Sequence, residues 1–185
     1  PSGRLPVSFP IGENDTDFAF PAEYPGINGS CTGRGSPPCA PPGQVNYTTH
    51  GLFIGYRWYD RHGVAPAFPF GHGLSFTSFH YTNLETSSSS VRVTVTNNGT
   101  MQGAEVVQLY LGFPPTTGEP PKQLKGFVKM ALDVGANQTV EFQLQDRDLS
   151  IWDVGSHGWV KQCGDFKVFV GASSRDIRVV GSFVV

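Results

Sequence analysis

Charge is scarce in this sequence. Charged residues make up 15% of its 185 positions, whereas ordinary globular chains carry roughly 25%. The 13 basic and 15 acidic residues leave a formal net charge of -2, and the basic residues are scattered along the chain. Domains that bind nucleic acid or anionic membranes carry basic patches. This composition therefore indicates neither nucleic acid nor a membrane as a partner.

Long apolar runs are also missing. No stretch approaches the roughly 20 consecutive apolar residues of a membrane span. Residues 1–6 lack the apolar segment after a basic start that marks a signal peptide, and the chain has no initiator methionine. We interpret this start as the interior of a longer polypeptide.

Cysteine is limited to three residues. Cys31 and Cys39 are separated by seven residues rich in Gly, Pro and Ser. Such a segment can bend back on itself, which favours a local disulfide in an oxidising compartment. A zinc site is the alternative, although no third and fourth ligands stand at a suitable spacing. Cys163 is either a buried free thiol or pairs with a cysteine outside this chain.

Glycosylation sequons, in contrast, are frequent. Five Asn-x-Ser/Thr motifs begin at Asn14, Asn28, Asn46, Asn98 and Asn137. One such motif arises easily by chance, but five in a chain of this length predict a glycosylated, secreted, extracellular protein.

Signals of an independent catalytic site are weak. The sequence contains neither a Gly-x-Ser-x-Gly elbow nor a phosphate-binding Gly-rich loop. Retaining glycoside hydrolysis needs two carboxyl groups about 5–5.5 Å apart. The candidate carboxylates are Asp15 with Asp17, Asp146 with Asp148 on one face of a strand, and Asp60 beside Arg57. Acidic residues at strand ends more often form surface pairs or turn bonds, so we predict no catalytic, cofactor-binding or metal-binding residue.

Histidines give no stronger signal. The five histidines are spread along the chain and do not form a metal-binding pattern. His72 lies between two glycines, where the backbone can turn sharply. We expect it to hydrogen-bond neighbouring loops rather than a substrate.

The chain changes character near residue 80. Residues 1–80 contain most of the prolines, many glycines and a series of aromatic residues, without sustained periodicity. So long a stretch without structure is uncommon in a compact domain, and its aromatic residues would not stay in water as a free linker. We predict an extended arm that lies along other domains. Only residues 50–60 could form a short helix or strand.

Residues 81–185 alternate between apolar and polar positions, as strands do. Val91, Val93 and Val95 share one face of their strand. In the next run Val107, Leu109 and Leu111 face one way, while Val106, Gln108 and Tyr110 face the other. Similar runs occupy residues 140–144, 166–170 and 177–185, and a shorter strand is predicted over 122–130. One face of each strand should meet a core while the other faces water.

About seven short strands over roughly 100 residues predict an all-β, immunoglobulin-like sandwich. The Cys…Trp…Cys pattern of antibody domains is absent, which favours a fibronectin type III-like sandwich preceded by the long Pro/Gly/aromatic-rich arm.

Several motifs resemble glycoside hydrolase family 3, especially the fungal β-glucosidases. They are GYRWYD at 55–60, FPFGHGLSFT at 68–77, VTVTN at 93–97, GAEVVQLY at 103–110, PPKQLKGF at 120–127, RDLSIWD at 147–153 and VGASSRDI at 170–177. Residues 2–10 (SGRLPVSFP) resemble the segment that closes the α/β-sandwich domain of that family.

The resemblance implies a division of roles. In that family a barrel supplies the nucleophilic aspartate and an α/β-sandwich domain supplies the acid/base glutamate. Neither motif is matched here. We therefore expect residues 1–80 to be the end of the α/β-sandwich domain plus a linker arm, and residues 81–185 to be the fibronectin type III-like domain. The expected partners are the barrel and α/β-sandwich domains of the same enzyme, which hydrolyses terminal β-D-glucosyl residues without a cofactor; a β-xyloside-specific parent is an alternative.

Binding is the other alternative. Aromatic faces stack on sugars and on phenolic polymers. Trp152 and Trp159 lie in a turn-rich stretch at a predicted sandwich edge. They are candidates for contact with a polysaccharide or lignin surface, against burial in the core or in a domain interface.

Overall fold

The computed structural model describes residues 1–12, 15 and 50–185. In this part of the chain one α-helix, α1 (Tyr56–His62), is followed by strands. The strands are β1 (Phe79–Thr86), β2 (Ser90–Asn97), β3 (Gly103–Gly112), β4 (Gln123–Leu132), β5 (Asn137–Gln143), β6 (Ser150–Asp153), β7 (Gly158–Lys161), β8 (Asp165–Gly171) and β9 (Ile177–Val184).

The strands form a sandwich and an additional hairpin. One sheet has the order β1-β2-β5, and the other has the order β4-β3-β8-β9. β6 and β7 pair only with each other, and every pairing is antiparallel. The predicted all-β sandwich is confirmed, and so is the period-2 pattern behind it.

The core lies between the two large sheets. Val91, Val93 and Val95 of β2 are fully buried, and they belong to one cluster with Val107 and Leu109 of β3. Burying each such side chain contributes about 1.5–3 kcal/mol relative to exposure. The sequence pattern identified this face correctly because β2 has a polar residue at each outward position.

The outward face of β3 differs from the expectation. Val106, Gln108 and Tyr110 were predicted to face water, but all three are buried. The reason is that described parts of the arm, around Leu5 and around Phe70 and Gly71, pack across this face, and alternation within one strand does not report what a distant segment covers.

Strand limits also needed correction. β4 is ten residues long, as β3 is, so it is not a shorter strand. β1 was not predicted, because Asn83 has a positive φ of 51° and shifts the register between Thr82 and Glu85. β6 and β7 are only four residues long and mostly exposed, so neither has a readable period.

Asp146 and Asp148 do not share a strand face. They lie in a short 3-10 helix, Asp146–Leu149. Asp148 accepts a hydrogen bond from the Gln145 backbone (2.9 Å), and Asp146 pairs with Lys161 (2.6 Å). The prediction of a strand there was wrong, whereas the expected surface pair and turn bond are present.

Among residues 1–12, 15 and 50–185, no helix is long and apolar enough to cross a bilayer. The same ranges contain no group of three or more His, Cys, Asp or Glu side chains arranged to hold a metal ion.

Candidate functional site: the interface between arm and sandwich

The two described parts of the arm pair with each other. Leu5 N donates to the His72 carbonyl, and Gly71 N donates to the Leu5 carbonyl, both at 2.8 Å. Phe9 and Phe68 form an isolated antiparallel bridge. The start of the chain is thus fixed to residues 67–72; His72 takes part through its backbone, and its ring lies 5.5 Å from the Phe68 ring.

Gly71 lets this paired segment lie directly on the sheet. Its φ is +80°, a region that side-chain-bearing residues rarely adopt. Gln108 Nε2 donates to the Gly71 carbonyl (3.2 Å) and to the Ala172 carbonyl (2.7 Å). A Cβ at position 71 would overlap the Gln108 amide, 2.8 Å from Nε2. The glycine in the FPFGHG motif is therefore required by close approach.

Aromatic side chains extend the contact. The Tyr56 ring stacks on Phe70 (4.8 Å between centroids) and meets Tyr110 edge-on (5.9 Å). The Tyr56 hydroxyl accepts a hydrogen bond from Leu124 N (2.9 Å), and Tyr110 donates to Gln108 Oε1 (2.6 Å). Burial raises the pKa of Tyr56 and of Tyr110, so both phenols stay neutral.

A buried ion pair joins the start of the arm to β3. Arg4 pairs with Glu105, and the two side chains are 12% and 5% exposed. Arg4 also donates to the Gly73 carbonyl (2.8 Å), and Val106 N donates to Glu105 (2.9 Å). Burial raises the pKa of Glu105, while Arg4 beside it acts in the lowering direction. Breaking such a pair on one side leaves an uncompensated buried charge.

Asp60 links α1 to two other elements. Its carboxylate, 5% exposed, lies 2.5 Å from Lys122 Nζ and 3.0 Å from Arg175 Nε. Arg175 also donates to the Val64 carbonyl (2.9 Å). In the sequence Asp60 lies near Arg57, but its ion-pair partners are Lys122, just before β4, and Arg175, in the β8–β9 loop. Only the fold brings these residues together.

The arm nevertheless leaves much apolar surface uncovered. Apolar side chains of the arm that are at least 46% exposed are Val7, Phe9, Ile11, Leu52, Ile54, Phe68, Leu74 and Phe76. Single exposed residues of this kind are normal, but Phe9, Phe68 and Leu74 together line one open depression, and a contiguous apolar patch marks a surface that contacts something else.

The tryptophans form a separate patch on the β6–β7 hairpin. Trp152 and Trp159 are directly paired across the two strands and meet edge-to-face at 5.6 Å. They are 49% and 46% exposed, outside the sandwich core. The Arg147 guanidinium lies 3.7 Å from the Trp159 ring centroid.

The remaining predicted sites are only partly described. Asn98 is exposed just after β2, and Asn137 is the exposed first residue of β5. Asn14, Asn28, Asn46, Asp17 and the Cys31–Cys39 pair lie outside the described residues.

Cys163 is exposed, in the short connection between β7 and β8. The alternative of a buried thiol is therefore wrong. The neighbouring Gly164 has a φ of +123°, and this turn carries the thiol away from the core.

Sequence reasoning missed both ionic anchors. The one available signal was Glu105, an acidic residue between Ala104 and Val106 in an otherwise apolar strand, because a charge in such a place needs a partner. Nothing local identified Arg4 as that partner, about one hundred residues away.

Comparisons with known proteins agree with this architecture. Residues 105–174 match the family model described as fibronectin type III-like domain. A probable beta-glucosidase L of Emericella nidulans is 41% identical over the whole chain, and a beta-glucosidase of Pyricularia oryzae is 40% identical over 96% of it. The chain spans about a quarter of the length of the curated relatives it matches.

Solved structures give the same result. The beta-D-glucoside glucohydrolase of Trichoderma reesei superposes on the whole chain with a TM-score of 0.83 and 33% identity. The beta-glucosidase DesR of Streptomyces venezuelae, solved in complex with D-glucose, superposes with a TM-score of 0.85 and 38% identity. The chain covers 27% and 23% of those two proteins.

Proposed function

We infer that this chain, which belongs to the C-terminal, fibronectin type III-like portion of glycoside hydrolase family 3, is the non-catalytic structural part of a secreted β-glucosidase. The parent enzyme would remove terminal β-D-glucosyl residues from cellobiose and other β-glucosides, with retention and without a cofactor. Residues 1–80 would be the end of the α/β-sandwich domain and the linker arm, and residues 81–185 the sandwich domain.

One observation carries this proposal. The arm is attached to β3 by buried contacts, Arg4 with Glu105 and Gly71 with Gln108, yet it leaves apolar side chains exposed, among them Phe9, Phe68 and Leu74 around one open depression. An arm that is fixed to the sandwich on one side and exposes apolar side chains on the other is suited to contact a further domain. The occupant we propose is the remaining three quarters or so of the parent polypeptide, which would carry the nucleophile and the acid/base.

Separate expression of the two parts tests this function. The 185-residue chain alone should not turn over an aryl β-glucoside. Mixed with the separately produced upstream portion of its parent, it should form a stoichiometric complex in light scattering and restore or raise aryl β-glucosidase activity. Turnover by the chain alone, or no association with the upstream portion, would contradict the proposal. Parallel assays on aryl β-xylosides distinguish the β-xylosidase alternative.

A second candidate is adhesion to a polysaccharide or lignin surface. The exposed Trp152–Trp159 pair favours it, because flat indole faces stack on sugar and phenolic rings. Pull-down on cellulose and on lignin tests it: retention should disappear in Trp152→Ala or Trp159→Ala. Trp58→Phe is the matched control, since Trp58 packs on His62 within α1 (4.5 Å).

A further inference from the structure

A cleft of about 600 Å³ lies in front of the tryptophan pair. Its walls come from the segment around α1, from β4, from the Asp146–Leu149 turn and from the β6–β7 hairpin. Trp152 and Trp159 form the aromatic part of its lining. Because both indoles are about half exposed, a flat ring that enters the cleft can contact an indole face.

Three cationic side chains line the same cleft: Arg57, Lys125 and Arg147. Within the described part of the chain, no ion pair joins any of the three to a carboxylate. Arg147 lies over the Trp159 ring, and Lys125 lies over the Phe113 ring at 5.0 Å. Burial lowers the pKa of Lys125, as expected for an ammonium group that lacks an adjacent counter-charge.

The two acidic residues of the cleft already accept hydrogen bonds from uncharged groups. Glu119 accepts a hydrogen bond from Gln123 Nε2 (2.6 Å), and Asp148 caps the Gln145 backbone (2.9 Å). Both raise the pKa of Lys125 from a distance, but neither forms an ion pair with it. Three cations against two occupied carboxylates leave the cleft with one positive charge in excess.

We propose that this cleft binds a carboxylate carried on a flat or apolar ring. Because the two indole planes are inclined by 68°, the ring would stack on one of them, and the carboxylate would take charge-assisted hydrogen bonds from Lys125 and Arg147. A uronic acid of a glycan and an aromatic acid both have this chemistry. The inference deepens the second candidate function, since it rests on the same tryptophans, but the unpaired cations carry it.

Calorimetric titration of the 185-residue chain tests the cleft with two matched ligand pairs. The first pair is methyl β-D-glucuronoside and the neutral methyl β-D-glucoside. The second pair is 4-hydroxybenzoate and its methyl ester. We expect at least one acid to bind saturably with a Kd about tenfold below that of its neutral analogue, since hydrogen bonds to charged groups contribute at least that factor. The acid that binds more tightly identifies the source.

Variants locate the binding. Lys125→Met should weaken the acid about tenfold, whereas Lys129→Met, on the same strand but outside the cleft, should leave it unchanged. Arg147→Gln, at an exposed position, gives a second charge removal that does not disturb the interior. Thermal unfolding of each variant confirms that it is folded.

Two results would overturn the inference: no saturable binding of either acid, or equal binding of an acid and its neutral analogue. Tight binding that Lys125→Met and Arg147→Gln both leave intact would also overturn it. If retention on neutral cellulose still depends on Trp159 while both acids fail, the adhesion function stands and only the carboxylate site falls.

Discussion

At Gly71 the backbone of the arm is in direct contact with the side chain of Gln108 in the sheet. The Gly71 carbonyl accepts from Gln108, and the space where a Cβ would sit is already occupied by that amide. An added methyl group at position 71 would therefore displace the buried Gln108 amide and disturb the contact between arm and sheet.

Gly71→Ala should therefore lower the free energy of unfolding by about 2–4 kcal/mol, from positive-φ strain plus overpacking. Chemical denaturation measures it. Gly118→Ala is the matched control: Gly118 also has a positive φ (+69°), but nothing lies within 4 Å of the place that a Cβ would occupy there, so only about 1 kcal/mol of strain is expected. Equal losses in the two variants would show that close approach is unimportant.

Glu105 gives a pH dependence with a defined sign. Burial raises its pKa in the folded chain above the unfolded value, so the folded state binds the proton more strongly. Stability from this group is then fully present below the unfolded pKa and is lost as pH rises through the folded pKa. Glu105→Gln removes the titration.

We expect the unfolding free energy of the wild type, minus that of Glu105→Gln, to shrink as pH rises above the ordinary pKa of a glutamate, about 4.3. Denaturant titrations of both proteins at a series of pH values measure this difference. A difference that grows with pH would mean that Arg4 outweighs burial and that the folded pKa is depressed.

Among the elements, the short helix α1 is held in place by ion pairs to other elements. Seven residues are too few for a stable isolated helix. Tyr59 is its one buried residue, and Asp60 joins it to Lys122 and Arg175. The helix therefore depends on contacts that the sandwich provides.

Asp60→Asn should cost about 2–4 kcal/mol, because it leaves the largely buried Lys122 without its counter-charge. Asp146→Asn is the control: Asp146 is 82% exposed in its pair with Lys161, and such surface pairs contribute about 0–1 kcal/mol. Denaturation midpoints of both variants measure the costs. Similar small losses would show that Asp60 is not an anchor.

For the whole molecule, the proposed contact with the upstream domains rests on the exposed apolar surface of the arm. Phe76 is 76% exposed, and Leu74 is 70% exposed. Their side chains contribute little to the sandwich itself, so a change there separates docking from folding.

Phe76→Ser should weaken association with the upstream portion about tenfold or more while changing the chain's own stability by no more than about 0.5 kcal/mol. Titration calorimetry and thermal unfolding measure the two effects. Val184→Ser, an exposed apolar position at the end of β9, should change neither. Unchanged affinity in Phe76→Ser would place the partner elsewhere.

The sequence by itself determined the sandwich and its core. The alternation of Val91, Val93 and Val95 with polar neighbours specifies which face of β2 is buried, because side chains in a strand point alternately to its two sides. The Pro- and Gly-rich composition of the arm likewise predicted extended structure. These features depend only on the residues within one segment, so the sequence of that segment is sufficient to predict them.

Only the tertiary structure decided what covers the outer face of β3 and which charges meet there. Arg4 and Glu105 are far apart in sequence, as are Asp60 and its two partners. Trp152 and Trp159 became one patch because β6 and β7 pair, and their cleft gained Arg57 and Lys125 from two other elements. The physical reason is that such contacts depend on packing between distant segments, which periodicity within a strand does not encode.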